Sequence, residues 1–344
     1  MTLYETAPTK DSLTLAQWLD KWLRVYAPLR CRSLKTIERY RGLANYVIKG
    51  RTPELAWIAA TDLPDLTHIT LEPALLSLLD VPGLRHERLS SHSVRHIGSL
   101  VSVALDKAWR LDLIPVNPMK KVEMPRMDIK DTRSLTRAEI WAIRDVCRGD
   151  WLADFIELAL GTGCRRGELL ALEWTDINWK ERSISISKSL EQTREGLRIK
   201  GTKGGKPRVF KLPKIALDSM KNQKRTGHAR LIFADDHGGY LKPDLISQLI
   251  VRRIRKAGIN DASLHSLRHA HASNLLSRGV PLPAVSARLG HADANITARI
   301  YCHALPLDDE RACNEWDRMF VGGEAQQERK RTPYPKMNPN TRQR

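Results

Sequence analysis

Apolar residues return at helical spacing near the start of the chain. Leu15, Trp18, Leu19, Trp22, Leu23 and Tyr26 stand at i, i+3, i+4, i+7, i+8 and i+11, which predicts one amphipathic helix with a single buried stripe. Ile37, Tyr40, Ala44 and Val47 predict a second helix, with Ser33 near its start and Gly50 as its stop. Val94, Ile97, Val101, Ala104, Leu105 and Ala108 predict a third that ends ahead of Pro115 and Pro118, and a shorter one fits residues 71–79. This part of the chain reads as a small all-helical domain over residues 12–118, behind a short extension at 1–11.

Residues 119–135 lose the periodicity, carry charges of both signs and read as an extended linker. A new pattern opens at Thr136, where Thr136 and Glu139 have capping-box spacing ahead of Ile140 and Ile143. Helices fit residues 152–160, 166–173, 243–257, 266–278 and 282–289. Between them Ile184 and Ile186 alternate with serines, and segments 197–201 and 208–212 flank the turn signal Gly204-Gly205. A small antiparallel sheet with a hairpin across those glycines is predicted. The fold class is therefore mainly α with a small antiparallel β-sheet in a mixed α+β second domain over 136–322. Residues 323–344, with Pro333, Pro335 and Pro339, read as a basic, disordered tail.

Charge narrows the function classes. The 344 residues hold 57 Lys and Arg against 39 Asp and Glu, a net charge of +18. A surplus of that size repels itself in a compact chain and points to a polyanionic partner. It is also local, because residues 180–256 carry 20 basic and 7 acidic side chains. No run of about 18 apolar residues occurs, which excludes a membrane-spanning helix. The N-terminus lacks a secretory pattern, and the five cysteines form no CxxC pair. Both features fit a soluble cytoplasmic protein with reduced thiols, facing nucleic acid.

Taken singly, the candidate chemical residues are ordinary. His265, His269 and His271 lack a carboxylate at zincin spacing and a cysteine pair, so no metal site is expected. Their order along the chain is more specific. Thr162-Gly163-Cys164-Arg165-Arg166-Gly167-Glu168-Leu169 is followed by Lys203, then His265-Ser266-Leu267-Arg268-His269, then Leu289-Gly290-His291, then Tyr301 ten residues later. Over roughly residues 12–320 this resembles the tyrosine recombinase, or phage integrase, family, whose signature is an Arg, Lys, His-x-x-Arg, His and Tyr set.

The resemblance implies a helical core-DNA-binding domain followed by a catalytic domain, with Arg165, Lys203, His265, Arg268, His291 and the nucleophile Tyr301 as catalytic residues. It implies cleavage and rejoining of double-stranded DNA at core recombination sites through a covalent 3′-phosphotyrosine, by a homo-tetramer. Accessory DNA-bending proteins and a bacterial, phage or mobile-element origin follow from it as well. In that reading His265 assists as base or acid, His291 hydrogen-bonds the phosphate, and Lys203 protonates the departing 5′-hydroxyl, with Lys206 as its rival. Elementary chemistry agrees. Two guanidiniums, Arg165 and Arg268, can clamp the non-bridging oxygens of a phosphodiester and neutralise charge built up in the transition state. Fixed cations then do the neutralising, so no cofactor is expected.

Integration and excision of a mobile element is the expected role, with resolution or inversion by the same chemistry as the alternative. A type IB topoisomerase and a DNA-binding protein without chemistry are the readings from other classes. With about eleven residues ahead of the first helix, no arm-binding module is expected. Ala312, Trp316, Met319 and Phe320 form an apolar helical face after Tyr301, which either packs on its own domain or docks into a neighbouring subunit.

Overall fold

The computed structural model describes residues 13–31, 33–83, 88–127, 133–202, 207–226, 230–291, 293–301 and 313–314. Lys203, Lys206, the proposed helical face from Ala312 to Phe320 and the tail at 323–344 lie outside them. In chain order the helices are α1 (Leu15–Lys21), α2 (Ala27–Arg30), α3 (Leu34–Ile48), α4 (Pro53–Ala60), α5 (His68–Leu76), α6 (Ser91–Trp109), α7 (Arg137–Cys147), α8 (Trp151–Thr162) and α9 (Arg166–Leu170). Strands β1 (Ile177–Asn178), β2 (Ser183–Ile186), β3 (Lys188–Thr193), β4 (Gly196–Gly201) and β5 (Arg208–Lys211) follow. The chain then enters α10 (Lys214–Thr226), α11 (Pro243–Lys256), α12 (Leu264–Leu276), α13 (Leu282–Leu289) and α14 (Ala294–Tyr301). They gather into two compact units. One holds α1 to α6 with residues 190–200 and 242–244, and the other holds 134–189, 201–241 and the chain from 245 onward.

The helical unit is built around tryptophan. Trp18 and Trp22 are buried with Leu15, Leu19, Leu71, Leu75, Val101 and Leu105, and the Trp18 indole donates to the Ala104 carbonyl at 2.9 Å. The helix expected over 15–26 forms, but its ladder widens to a π-turn across Trp22–Tyr26. Pro28 accounts for this: it has no N–H and its ring would strike the carbonyl four residues back, and the Ala27 N–H instead reaches Trp22 O. The stretch expected to be a linker is partly strapped down. Pro118–Lys121 form a 3₁₀ turn with Met119 buried, and Arg95 donates to the carbonyls of Met124 and Pro125 at 3.3 and 3.0 Å. The hairpin β3–β4 packs with this unit through Glu191, which accepts from Ser33 Oγ at 2.7 Å and pairs with Lys200.

The second unit opens with the expected capping box. Thr136 Oγ1 accepts from the Glu139 N–H, and the Glu139 carboxylate accepts from the Thr136 N–H. Its sheet differs from the expected one. β2 pairs antiparallel with β1 and with β5 (Ile184 opposite Phe210), whereas β4 pairs with β3 in a separate two-stranded ladder. The strands on either side of Gly204-Gly205 thus belong to different ladders, and β4 and β5 are not paired as the expected hairpin. The turn that does close β3–β4 is at Arg194-Glu195, where Gly196 takes a φ of +126°. Helices α4 and α10 were not expected. In α10, Ala216, Leu217 and Met220 bury a narrow face against α8 at Gly161, where an added Cβ would lie 2.9 Å from the Ala216 methyl. Among the described residues no helix is long and apolar enough to cross a membrane.

Candidate active site

Four segments of the second unit converge: the α8–α9 junction, β5, the body of α12 and the end of α13 with the start of α14. The α8–α9 junction is shaped by Gly163, which ends α8 in the left-handed region at φ +64°. A Cβ there would fall 2.6 Å from the His271 ring and 2.9 Å from Leu289, so both conformation and space select glycine. Arg165 follows as the N-cap of α9. Its backbone N–H donates to Glu168 Oε2 at 2.9 Å and its Nη1 to Glu168 Oε1 at 3.1 Å. Arg268 projects from α12 and is almost wholly buried. Its Nη1 donates to Gly163 O at 2.6 Å and its Nη2 to Leu289 O at 2.9 Å. Arg165 Nη1 also lies 3.5 Å from Leu289 O, so the two guanidiniums turn onto one carbonyl at the end of α13.

Electrostatically the site is short of negative charge. Arg165, Arg268 and Arg208 gather round a single buried carboxylate, Glu168. Burial, and then the field of Arg165, pull the Arg268 pKa down to about 10. Burial disfavours ionised Glu168, but hydrogen bonds and charge from Arg208 and Arg165 overcome it and hold the carboxyl below its ordinary value. Arginines crowded in this way favour an anionic ligand, and their planar donors suit a phosphate.

The histidines divide into two kinds. His291 follows the left-handed cap Gly290, accepts from Arg268 Nη2 at Nε2 (2.9 Å) and bonds Thr297 Oγ1 through Nδ1 (2.7 Å). That pattern assigns its proton to Nδ1. Burial, and then the charges of Arg268 and Arg165, lower its pKa to about 4. With both nitrogens committed, His291 acts here as an orienting partner of Arg268, and no N–H is left over for a phosphate. His271 donates from Nδ1 to Leu160 O at 2.6 Å and accepts from Arg288 Nε at 3.1 Å, which makes it a structural pin of α12. His265 is exposed. Desolvation by the surrounding protein, then Arg268 and Arg165, hold its pKa below the usual imidazole value, so it is available as a neutral base.

Tyr301 ends α14 and packs with Ala272, Leu276, Val285 and Leu289 at 2% exposure. Its ring meets His269 at 5.4 Å between centroids, and His269 in turn meets His265 edge-on at 4.6 Å. Burial raises the phenol pKa and Arg268 opposes it. The structure thus brings Arg165, His265, Arg268, His291 and Tyr301 into one region, while Lys203 lies outside the described residues. Sequence reasoning did not single out Arg208, Arg288 or Thr297. Arg208 sits at the first position of β5, beside the lysine-rich segment, and nothing in its local pattern distinguishes it from the surrounding basic residues.

Comparison with known proteins follows the same geometry. A family model described as the phage integrase family matches residues 133–307. A tyrosine recombinase XerC-like protein of Caldanaerobacter subterraneus subsp. tengcongensis is 27% identical over 235 residues, 61% of this chain but only 58% of that protein's length. Tyrosine recombinase XerA of Pyrococcus furiosus is 28% identical over 246 residues, covering 69% of this chain and 80% of the relative. Among solved structures, the Tn1549 transposon integrase with a circular intermediate DNA superposes with a TM-score of 0.76 at 19% identity, over 88% of this chain and 99% of that one. A lambda integrase tetramer bound to a Holliday junction gives 0.65 at 21% identity, over 87% and 82%. The structural likenesses, at such identities, establish the fold. The family match spans half of the chain and includes the whole constellation from Arg165 to Tyr301, and on that ground the chain belongs to the phage integrase family of tyrosine recombinases.

Proposed function

We propose that the chain is a site-specific DNA recombinase of the integrase type, which cuts and rejoins duplex DNA through a 3′-phosphotyrosine and so drives integration and excision of a mobile element. The observation that supports it most is the pair of guanidiniums, Arg165 and Arg268, aimed at one carbonyl beside the His265–His269–Tyr301 line. A scissile phosphate arriving there would take the donors now resting on Leu289 O and Gly290 O.

In this mechanism Tyr301 Oη attacks phosphorus and the P–O5′ bond breaks. The phenol proton passes to neutral His265, and Lys203 protonates the leaving 5′-oxygen. The reverse sequence, with a 5′-hydroxyl from the partner duplex, rejoins the strand and frees the tyrosine. His291 keeps Arg268 in place throughout. Because Tyr301 is packed away, DNA binding must be coupled to presentation of α14. The helical unit is assigned to core-site DNA and the second unit to catalysis. A tetramer on DNA follows by likeness to the lambda integrase tetramer, and DNA as the partner by likeness to the Tn1549 and lambda complexes.

The test is a nicked duplex carrying a site selected from randomised DNA by binding to the full chain. The wild-type protein is expected to form a denaturant-stable adduct, and Tyr301→Phe to bind the same duplex without forming one. Absence of an adduct with the wild-type protein, or its persistence in Tyr301→Phe, overturns the mechanism.

A further inference from the structure

Glu168 is a carboxylate shared unequally. Its residue is 1% exposed, so its charge requires compensation inside the protein. Arg208, whose side chain is 11% exposed, supplies a fork: Nη1 to Oε1 at 3.1 Å and Nη2 to Oε2 at 2.7 Å. Arg165 supplies one side-chain N–H, Nη1 to Oε1 at 3.1 Å, and its own backbone N–H. The carboxylate is therefore saturated by four donors. The bidentate partner is the arginine from β5, not the arginine three residues away on its own helix.

This division matters for Arg165. A guanidinium has five N–H donors in a planar fork, and one carboxylate can capture it edge to edge. If Arg208 were missing, a desolvated Glu168 would have Arg165 as its nearest counter-ion, and the favoured geometry would be a bidentate pair. That pairing would withdraw from a phosphate the donors now directed at Leu289 O and Gly290 O. Arg208 also fixes the opposite wall. Its Nε donates to Arg288 O in the last turn of α13 at 3.0 Å, and a Cβ on Gly290 would strike its guanidinium at 2.8 Å. One side chain thus ties the start of α9, which bears Arg165, to the end of α13, which leads into His291.

We propose that Arg208 is a positioning residue of the strand-cleavage site, occupying Glu168 bidentately so that the Arg165 guanidinium stays free for the scissile phosphate. This rests on the recombinase reading above. A lysine at 208 could neutralise Glu168 but could not fork onto both oxygens and reach Arg288 O as well.

The experiment compares adduct formation by wild type, R208K, R208M and the double variant E168Q/R208M on the nicked duplex. Each duplex is made with a normal or a neutral methylphosphonate group at the cut position, and near-ultraviolet circular dichroism monitors the fold. R208M is expected to cleave the normal duplex about 10–100-fold more slowly, the scale of a misplaced catalytic group. The deficit should shrink on the methylphosphonate, where less charge needs neutralising, and R208K should lie between R208M and wild type. E168Q/R208M should recover much of the lost rate, since a neutral amide no longer captures Arg165. Unchanged cleavage by R208M overturns the proposal, as does an equal deficit on both duplexes or no recovery in the double variant. Should R208M fail to fold, R208K and the double variant carry the same comparison. A wild-type protein that forms no adduct on either duplex removes the recombinase reading itself, a result separable from all of these.

Discussion

The two units solve opposite problems with their interiors. The helical unit buries an apolar cluster from Leu15 to Met119, and its buried polar side chains among the described residues are Asn117 and Glu191, each hydrogen-bonded. The second unit buries Glu168, Arg268, His269, His271 and Thr297 around a convergence of arginines. Apolar burial contributes stability in proportion to area, whereas buried ions are retained only where every donor and acceptor is met. The first interior is built to hold a shape. The second holds charge out of water in readiness for an anion.

That contrast can be broken at Arg268. Replacing it by alanine takes a donor from Gly163 O, Leu289 O and His291, leaving Leu289 O only the longer bond from Arg165, and removes a cation from the proposed phosphate site. Adduct formation should fall about 10³-fold, at the upper end for loss of one preorganised donor, while affinity for the selected duplex changes far less. Equal losses in binding and cleavage would mean that Arg268 merely supports the fold. A next, smaller effect belongs to the helical unit. Leu105→Ala removes a fully buried side chain and should lower unfolding stability by about 2–5 kcal/mol. The cleavage rate of the folded protein at saturating DNA should remain unchanged; a rate loss as large as that of Arg268→Ala would dissolve the distinction between the units.

The smallest expected effect is in pH. Burial, and then Arg288, lower the His271 pKa to about 4, against about 6.5 in an unfolded chain. The folded state therefore binds fewer protons in this window. Its stability is intact above pH 6.5 and declines as pH falls towards 4, by about 3 kcal/mol for this group. His291, lowered to about 4 as well, acts in the same direction. His271→Asn should be less stable at neutral pH but show a shallower decline between pH 6.5 and 4 in denaturant titrations. A decline as steep as that of the wild type would assign the pH dependence elsewhere.

What the sequence disclosed follows the same division. The apolar stripes of α1, α3 and α6 were legible because a bundle core is written as periodicity, and the Thr136–Glu139 box marked the start of α7. The π-turn was not expected, because Pro28 acts through its effect on the preceding turn. The strand pairing was misread because Gly204-Gly205 looked like the turn, while pairing is decided by partners distant in the chain. In the candidate site, the residues with distinctive spacing were found. Arg208, Arg288 and Thr297 were not, because their roles lie in contacts made 40, 17 and 6 residues away with nothing regular between.

The central claim is that this cluster of arginines and histidines serves one nucleophile. Trapping the wild-type protein on the nicked duplex, digesting both partners and sequencing the nucleotide-linked peptide by mass spectrometry tests it most directly. The account predicts a 3′-phosphate on Tyr301 alone; a nucleotide on any other residue, or a cut duplex with no linked peptide, would contradict it.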